Sequence, residues 1–195
     1  MAFDKPTCGW VGAGDTLYHA YHDTEWGVPE RDSRALYEKL TLDGFQAGLA
    51  WITVLRKRNA LRAAFHGFDP EQVARYTDAD VARLLADPGI IRSRAKISAA
   101  IAGARSYLAM RDHGEDFSAY LWNFVDGRPI QNAWPHYRDA PTNTDLSAAI
   151  AKDLKRRGFM FCGPTIVYAF MQAVGMVNDH EQACWRHQPV RALGA

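Results

Sequence analysis

The chain has 195 residues, 48% hydrophobic and 12% aromatic, with a formal net charge of +1, enough for one substantial core or for two small lobes sharing a cleft. No run approaches the roughly 18 apolar residues of a membrane span, and the opening Met-Ala-Phe-Asp-Lys-Pro lacks the apolar stretch of a secretory signal, so the expected compartment is the cytoplasm. Three cysteines, an odd number, fit a reducing compartment where thiols serve as metal ligands or small hydrophobes; Cys162 reads as the latter, and no disulfide framework is implied.

The apolar periodicity is helical almost throughout, which makes the expected fold class all-α. Leu36, Leu40 and Leu55 lie in a long segment from about Ser33 that Gly44 and Gly48 must interrupt, since each glycine costs a helix interior about 1 kcal/mol. Two helices meeting at a tight bend are predicted there. Val73, Val81, Leu84 and Leu85 lead to Asp87-Pro88-Gly89, after which Ile97, Ile101 and Leu108 recur at helical spacing, giving a helix, a short turn and a longer helix. From Asp126 to Thr144 the Gly, Pro, Asn and Asp content predicts a long irregular loop and a junction between lobes. Thr165 to Val174 is apolar on nearly every face, opens with Pro164 and closes at Gly175, as a buried central helix would. No strand alternation of useful length and no internal repeat is present. One domain over residues 1–187 and a flexible tail over 188–195 are expected.

The two ends carry Cys8 and His22, and His180 and Cys184. Thiolate plus imidazole in a Cys2His2 set is what tetrahedral zinc prefers, and the i, i+4 spacing of His180 and Cys184 would put both on one helix face. Ordinary core Cys and His residues are the competing reading, and His19 competes with His22 as a ligand. Glu181 next to His180 also allows a variant zinc-hydrolase motif. Basic residues cluster at Arg56, Lys57, Arg58 and Arg62, at Arg92, Arg94 and Lys96, and at Lys152, Lys155, Arg156 and Arg157; such runs are often solvated helix faces. The second cluster follows Gly89-Ile90, a turn whose glycine lets main chain approach a ligand and whose next helix opens with outward amides, a setting that suits DNA phosphate. A plain helix hairpin is the alternative.

In the segments Cys8-Gly-Trp10, Tyr18-His19-Ala-Tyr21-His22-Asp-Thr-Glu-Trp26-Gly-Val-Pro29, Gln46-Ala-Gly48-Leu49-Ala-Trp51, Gly89-Ile90-Ile-Arg92, Lys155-Arg-Arg-Gly-Phe159 and Asn178-Asp-His180, the chain resembles the 3-methyladenine DNA glycosylase I family, a branch of the helix-hairpin-helix DNA glycosylases. The resemblance runs from about residue 8 to 184. It implies that fold, with one structural Zn2+ on Cys8, His22, His180 and Cys184 joining the two ends, and His19 outside the ligand set. It implies excision of N3-methyladenine from double-stranded alkylated DNA, with the free base as product, through extrusion of the nucleotide into a pocket.

A cationic base is attracted by aromatic faces and by a carboxylate that can accept its amine hydrogens. By the resemblance Tyr21 and Trp51 are the foremost candidates for that slot, with Trp10 and Tyr18 supporting, while Trp26, Trp122 and Trp134 read as packing. The carboxylate departs from the family pattern: Leu42-Asp43-Gly44 stands where the family has Leu-Glu-Gly, so Asp43, named for base recognition and electrostatic support, is shorter by roughly 1.5 Å, about one bond. A bridging water can make up such a gap. Gly48 and Leu49 resemble a tip that enters the duplex, although Leu49 could equally be core. A non-catalytic reader of damaged DNA on the same fold is the alternative function, and a monomer is assumed.

Overall fold

In the computed structural model the described residues are 5–194; Met1 to Asp4 of the expected domain and Ala195 of the expected tail lie outside them. Several helices begin where short polar side chains take up otherwise unpaired first-turn amides. Asp15 accepts from the Tyr18 amide at the start of α1 (Thr16–Thr24), and Asp32 from the Ala35 amide at the start of α2 (Ser33–Gln46). Helix α3 (Trp51–Ala64) follows a bend in which Gly48 adopts φ +77, a left-handed conformation that favours glycine. A single turn, α4 (Pro70–Val73), precedes α5 (Asp78–Ala86), which opens with a Thr77/Asp80 capping box. Ser93 caps α6 (Arg94–Asp112) and Asp116 caps α7 (Phe117–Trp122).

The remaining elements are β1 (Ile130–Gln131), α8 (Asp145–Arg156), α9 (Pro164–Ala173), β2 (Val177–Asn178) and α10 (His187–Leu193). Helix α2 is the hub, packing on α3, α6, α7 and α9, while α8 lies along α9. Leu36, Tyr37, Phe65, Phe68 and Phe170 are fully buried around it, each apolar side chain contributing about 1.5–3 kcal/mol relative to exposure. The two-helix bend and the helix–turn–longer helix form as the periodicity predicts, and α9 starts at Pro164. Its exit depends on Gly175: φ is +72, and an added Cβ would lie 2.5 Å from the Pro29 nitrogen. That close approach lets the Gly27 amide reach the Ala173 carbonyl and the Glu30 amide the Val174 carbonyl, seating the N-terminal segment against the end of α9.

Two expectations are corrected. The segment expected to be a flexible tail forms α10, with Val190 buried, because an apolar side chain at that position finds cover on the body of the fold. His180 and Cys184 occupy turns before α10 and not a helix; amides that a helix would use internally instead point at sulfur, Glu181 N–H to Cys8 Sγ and Arg186 N–H to Cys184 Sγ, both at 3.4 Å. The loop expected as a junction between lobes also carries β1, which pairs in parallel with β2, Ile130 opposite Val177 and Gln131 opposite Asn178. Strands of two residues leave no alternation to read in a sequence.

Candidate functional site

Tyr18 and Tyr21, three residues apart, share one face of α1; Lys39 and Asp43, four apart, share one face of α2; Trp51 opens α3. The short turn Gly9–Val11 adds Trp10, and α9 closes the far wall with Tyr168 and Gln172. Together these line a cavity of about 330 Å³. The cavity thus collects Trp10, Tyr18, Tyr21, Asp43 and Trp51 from separate stretches of chain. The Tyr21 and Trp51 rings lie 5.5 Å apart at 46°, and Trp10 meets Tyr18 edge-on at 4.9 Å.

Buried polar atoms are almost always paired. Here Trp10 Nε1, Trp51 Nε1 and Asp43 Oδ2 are buried without a partner, all on residues of this cavity. Two donors and one acceptor among aromatic faces fit the edge of a flat polar ring. Burial pushes the Asp43 carboxyl above its ordinary value, opposed by the Lys39 ammonium, and pushes the Lys39 ammonium below its own, opposed by Asp43. Burial, reinforced by the Asp43 charge, raises the Tyr21 phenol well above its ordinary value, so it stays a neutral hydroxyl.

Sequence reasoning missed several residues here. Lys39 Nζ donates to Asp43 Oδ1 and sits 4.0 Å from the Trp51 ring centroid; its i, i+4 spacing from Asp43 is common on solvated helix faces and gave no sign of the cavity. Asp179 accepts from Asn132 Nδ2 (2.6 Å), Trp134 Nε1 (2.8 Å), Tyr168 hydroxyl (2.7 Å) and Gln172 Nε2 (2.8 Å), binding the 126–144 loop to α9. That loop supplies Tyr137, Ala140, Pro141 and Thr142 to the cavity rim, and no local pattern could reveal its path.

Behind Trp10 and Trp26 lie Cys8, His22, His180 and Cys184, all buried, their ligand atoms within 4.8 Å of one another. Cys184 Sγ is 3.4 Å from His22 Nε2 and 3.6 Å from His180 Nδ1, and Cys8 Sγ is 3.5 Å from His180 Nδ1. With metal–sulfur near 2.3 Å and metal–nitrogen near 2.0 Å, a tetrahedron has sulfur–nitrogen edges of about 3.5 Å, so this group could hold a metal ion. The outer ring nitrogens are oriented as such sites require: His180 Nε2 lies 3.1 Å from the Trp26 carbonyl and His22 Nδ1 2.7 Å from Asp23. Hydrogen bonding from Cys8 and from the two histidines holds the Cys184 thiol far below its ordinary value, while the contact with Cys184 and burial push Cys8 up. His19 stands outside, with Nε2 3.0 Å from the Gly12 carbonyl. Glu181 Oε1 accepts from the Gly9 and Tyr137 amides at 3.1 and 2.7 Å, which commits it to holding loops and speaks against a general-base role.

Of the candidate DNA contacts, Gly48 and Leu49 are exposed at the α2–α3 bend, and Arg92 and Arg94 are exposed beside the α5–α6 turn. The Ile90 side chain is buried, and the Lys96 ammonium donates to the Phe45 and Ala47 carbonyls at 2.8 and 2.7 Å. A cation there satisfies carbonyls left unpaired at the α2 terminus, so Lys96 holds the Gly48-Leu49 bend. Lys57 does the same for the other turn, donating to the Pro88 and Gly89 carbonyls at 3.0 Å.

Fold and cavity together define a helical protein built around an acidic, aromatic slot for a flat ring. The family described as methyladenine glycosylase matches residues 10–187, and the chain belongs to that family. It is 54% identical over 177 residues to the Escherichia coli K12 protein called DNA-3-methyladenine glycosylase 1, covering 91% of this chain and 94% of that one. It is 50% identical over 177 residues to the Haemophilus influenzae DNA-3-methyladenine glycosylase, covering 91% and 95%. A solved 3-methyladenine DNA glycosylase I superposes with TM-score 0.92 at 54% identity, over 93% of this chain and all of that one. The Staphylococcus aureus enzyme, solved to show how it recognises 3-methyladenine, gives 0.89 at 38% identity, over 93% and 96%.

Proposed function

We propose that this protein is a base-excision repair enzyme, a DNA-3-methyladenine glycosylase, that extrudes N3-methyladenine from alkylated double-stranded DNA and hydrolyses its N-glycosidic bond. The observation that carries the reading is the cavity in which Trp10 Nε1, Trp51 Nε1 and Asp43 Oδ2 stand buried and unpaired among aromatic faces. Relatives with that name at 50% identity and above support it.

The methylated adenine carries positive charge in DNA. Trp51 and Tyr21 offer it ring faces, Asp43 offers a carboxylate, and the tryptophan indoles offer donors to ring nitrogens. As the glycosidic bond breaks, the base departs neutral, so it has less need of a general acid than an ordinary purine, and selection for the lesion follows in part from the lesion's own chemistry. The sugar passes through an oxocarbenium-like state, by analogy with glycoside hydrolysis, and water captures the anomeric carbon. Asp43, near the leaving base, stabilises positive charge in the bound state.

Cys8, His22, His180 and Cys184 are read as ligands of one structural zinc, and the sulfur–nitrogen distances above support that donor set. Zinc supplies a cross-link there, since four protein ligands leave no open position for an activated water. Helices α5 and α6 with residues 87–93 are read as the helix-hairpin-helix, with Gly89, Arg92 and Arg94 toward phosphate and Leu49 on Gly48 as the wedge that enters the vacated stack. The protein is read as a single domain and a cytoplasmic monomer; no helix among the described residues is long and apolar enough to cross a membrane. Incubation with methylated duplex DNA, followed by chromatography of released bases, is expected to yield free 3-methyladenine. A folded sample that binds the duplex and releases no base would replace this reading with that of a non-catalytic damage binder.

A further inference from the structure

Lys39 occupies an unusual place for a lysine. Its side chain is 16% exposed, its ammonium donates to Asp43, and that ammonium stands 4.0 Å from the Trp51 ring centroid. A positively charged planar base held by a ring face and a carboxylate would use the same two partners. The ammonium of Lys39 is therefore an internal stand-in for such a ligand. It also cancels the charge of the only acidic side chain in the cavity with an unpaired oxygen, since Asp179, the other acid in the wall, is met by four neutral donors.

There is somewhere for the ammonium to go. Lys39 and Tyr21 line both the aromatic cavity and a second one of about 260 Å³ behind it. The second cavity is lined by three carboxylates and two guanidinium groups: Glu25, paired with Arg58 at 2.8 Å; Glu38, paired with Arg62 at 2.6 Å; and Glu30, which accepts from the Arg31 and Asp32 amides. A lysine stem has the rotatable bonds to swing its ammonium from Asp43 toward this second cavity, where Glu30 is the carboxylate with no guanidinium partner among the described residues.

We propose that Lys39 determines specificity: its ammonium competes for the Trp51 face and the Asp43 carboxylate, so a cationic base enters only by displacing it, and the cavity discriminates less between cationic and neutral bases than a free carboxylate would. A neutral base can leave the Lys39–Asp43 pair in place and use Asp43 Oδ2 with the two indoles. The inference rests on the base-binding reading of the cavity, and the test separates the two. Two probes serve: 3,9-dimethyladeninium, a permanent cation with the lesion's outline, and neutral 9-methyladenine. Each is titrated against the wild-type protein and Lys39→Met, with binding followed by calorimetry and folding by the thermal midpoint. Lys39→Met is expected to bind the cation about tenfold more tightly, the scale of a desolvated cation–π contact or ion pair, while its affinity for the neutral probe changes less than about threefold. Lys39→Gln, which keeps length and polarity, is expected to change in the same direction and substitutes if Lys39→Met does not fold. Equal or weaker cation binding in folded variants overturns the role of Lys39 and leaves the base cavity standing. Absence of either probe from all folded proteins overturns the cavity reading, and this inference with it.

Discussion

At the scale of single residues, the base cavity is held together against the interest of stability. Burial disfavours the charge on both Asp43 and Lys39, and each charge in turn opposes that effect on the other. The Asp43 carboxyl is raised, so the stability tied to its neutral form is full below the ordinary carboxylate range and is lost as pH rises through the folded value. Lys39 is lowered, so the stability tied to its neutral form is full above the ordinary lysine range and is lost as pH falls through the folded value. Between those limits both charges are a cost, with Tyr21, Glu25 and Arg58 the remaining titratable groups facing the pair. Replacing a buried pair by well-packed apolar side chains is often neutral or stabilising, by about 1–4 kcal/mol. Lys39→Met with Asp43→Leu is accordingly expected to unfold at higher denaturant than wild type at neutral pH, with the gain narrowing toward the carboxylate range. A double variant less stable than wild type at neutral pH would show that the pair holds the fold together. The aromatic members of the cavity were legible in the sequence because Trp and Tyr stand out and the resemblance orders them. Lys39 was not, since nothing in an i, i+4 Lys and Asp pair says whether it faces water or a cavity.

At the scale of elements, helices could be read where apolar spacing and a Gly or Pro boundary agreed, as for α2 and α3 on either side of Gly48, α6 after Gly89 and α9 from Pro164. What escaped was every feature made by distant chain: the β1–β2 pair, the loop wall around Tyr137, and the turn that carries His180 and Cys184. Each depends on partners more than forty residues away, such as Tyr137 with Glu181, which local periodicity cannot encode. The basic runs illustrate the same limit, because Lys57 and Lys96 spend their charges on carbonyls of neighbouring turns. The Cys8, His22, His180 and Cys184 group binds the N-terminal turn, α1 and the segment before α10 into one unit. A structural metal contributes directly to folding energy, and about 5 kcal/mol in a domain of this size corresponds to roughly 10–20 °C. With zinc bound as proposed, treatment with a strong chelator is expected to lower the thermal midpoint by about 10 °C or more and to speed amide exchange at both ends before the α2–α6 core. An unchanged midpoint after chelation, with no metal found in the purified protein, would reduce the group to core packing.

At the scale of the whole molecule, the arrangement separates three tasks. The α2 hub, with α3, α6 and α9 around it, fixes the cavity; the Cys/His group locks the ends that supply Trp10 and Tyr21 to one wall; and the two exposed turns, Gly48-Leu49 and 87–93, are held by lysines to the same body. In the proposed function, docking on a duplex, filling its gap and holding the extruded base would share one frame, which is what a reaction dependent on orientation needs. The claim at the centre is that Asp43, among the aromatic rings, grips the charged lesion. Its most direct test is the single-turnover rate of 3-methyladenine release from methylated duplex by wild type and by Asp43→Asn, which keeps the shape and removes the charge. A charge-assisted hydrogen bond in such a site is worth about 1.5–3 kcal/mol, so the rate is expected to fall between about tenfold and a hundredfold with duplex binding retained. An Asp43→Asn protein that releases the base as fast as wild type would contradict the account.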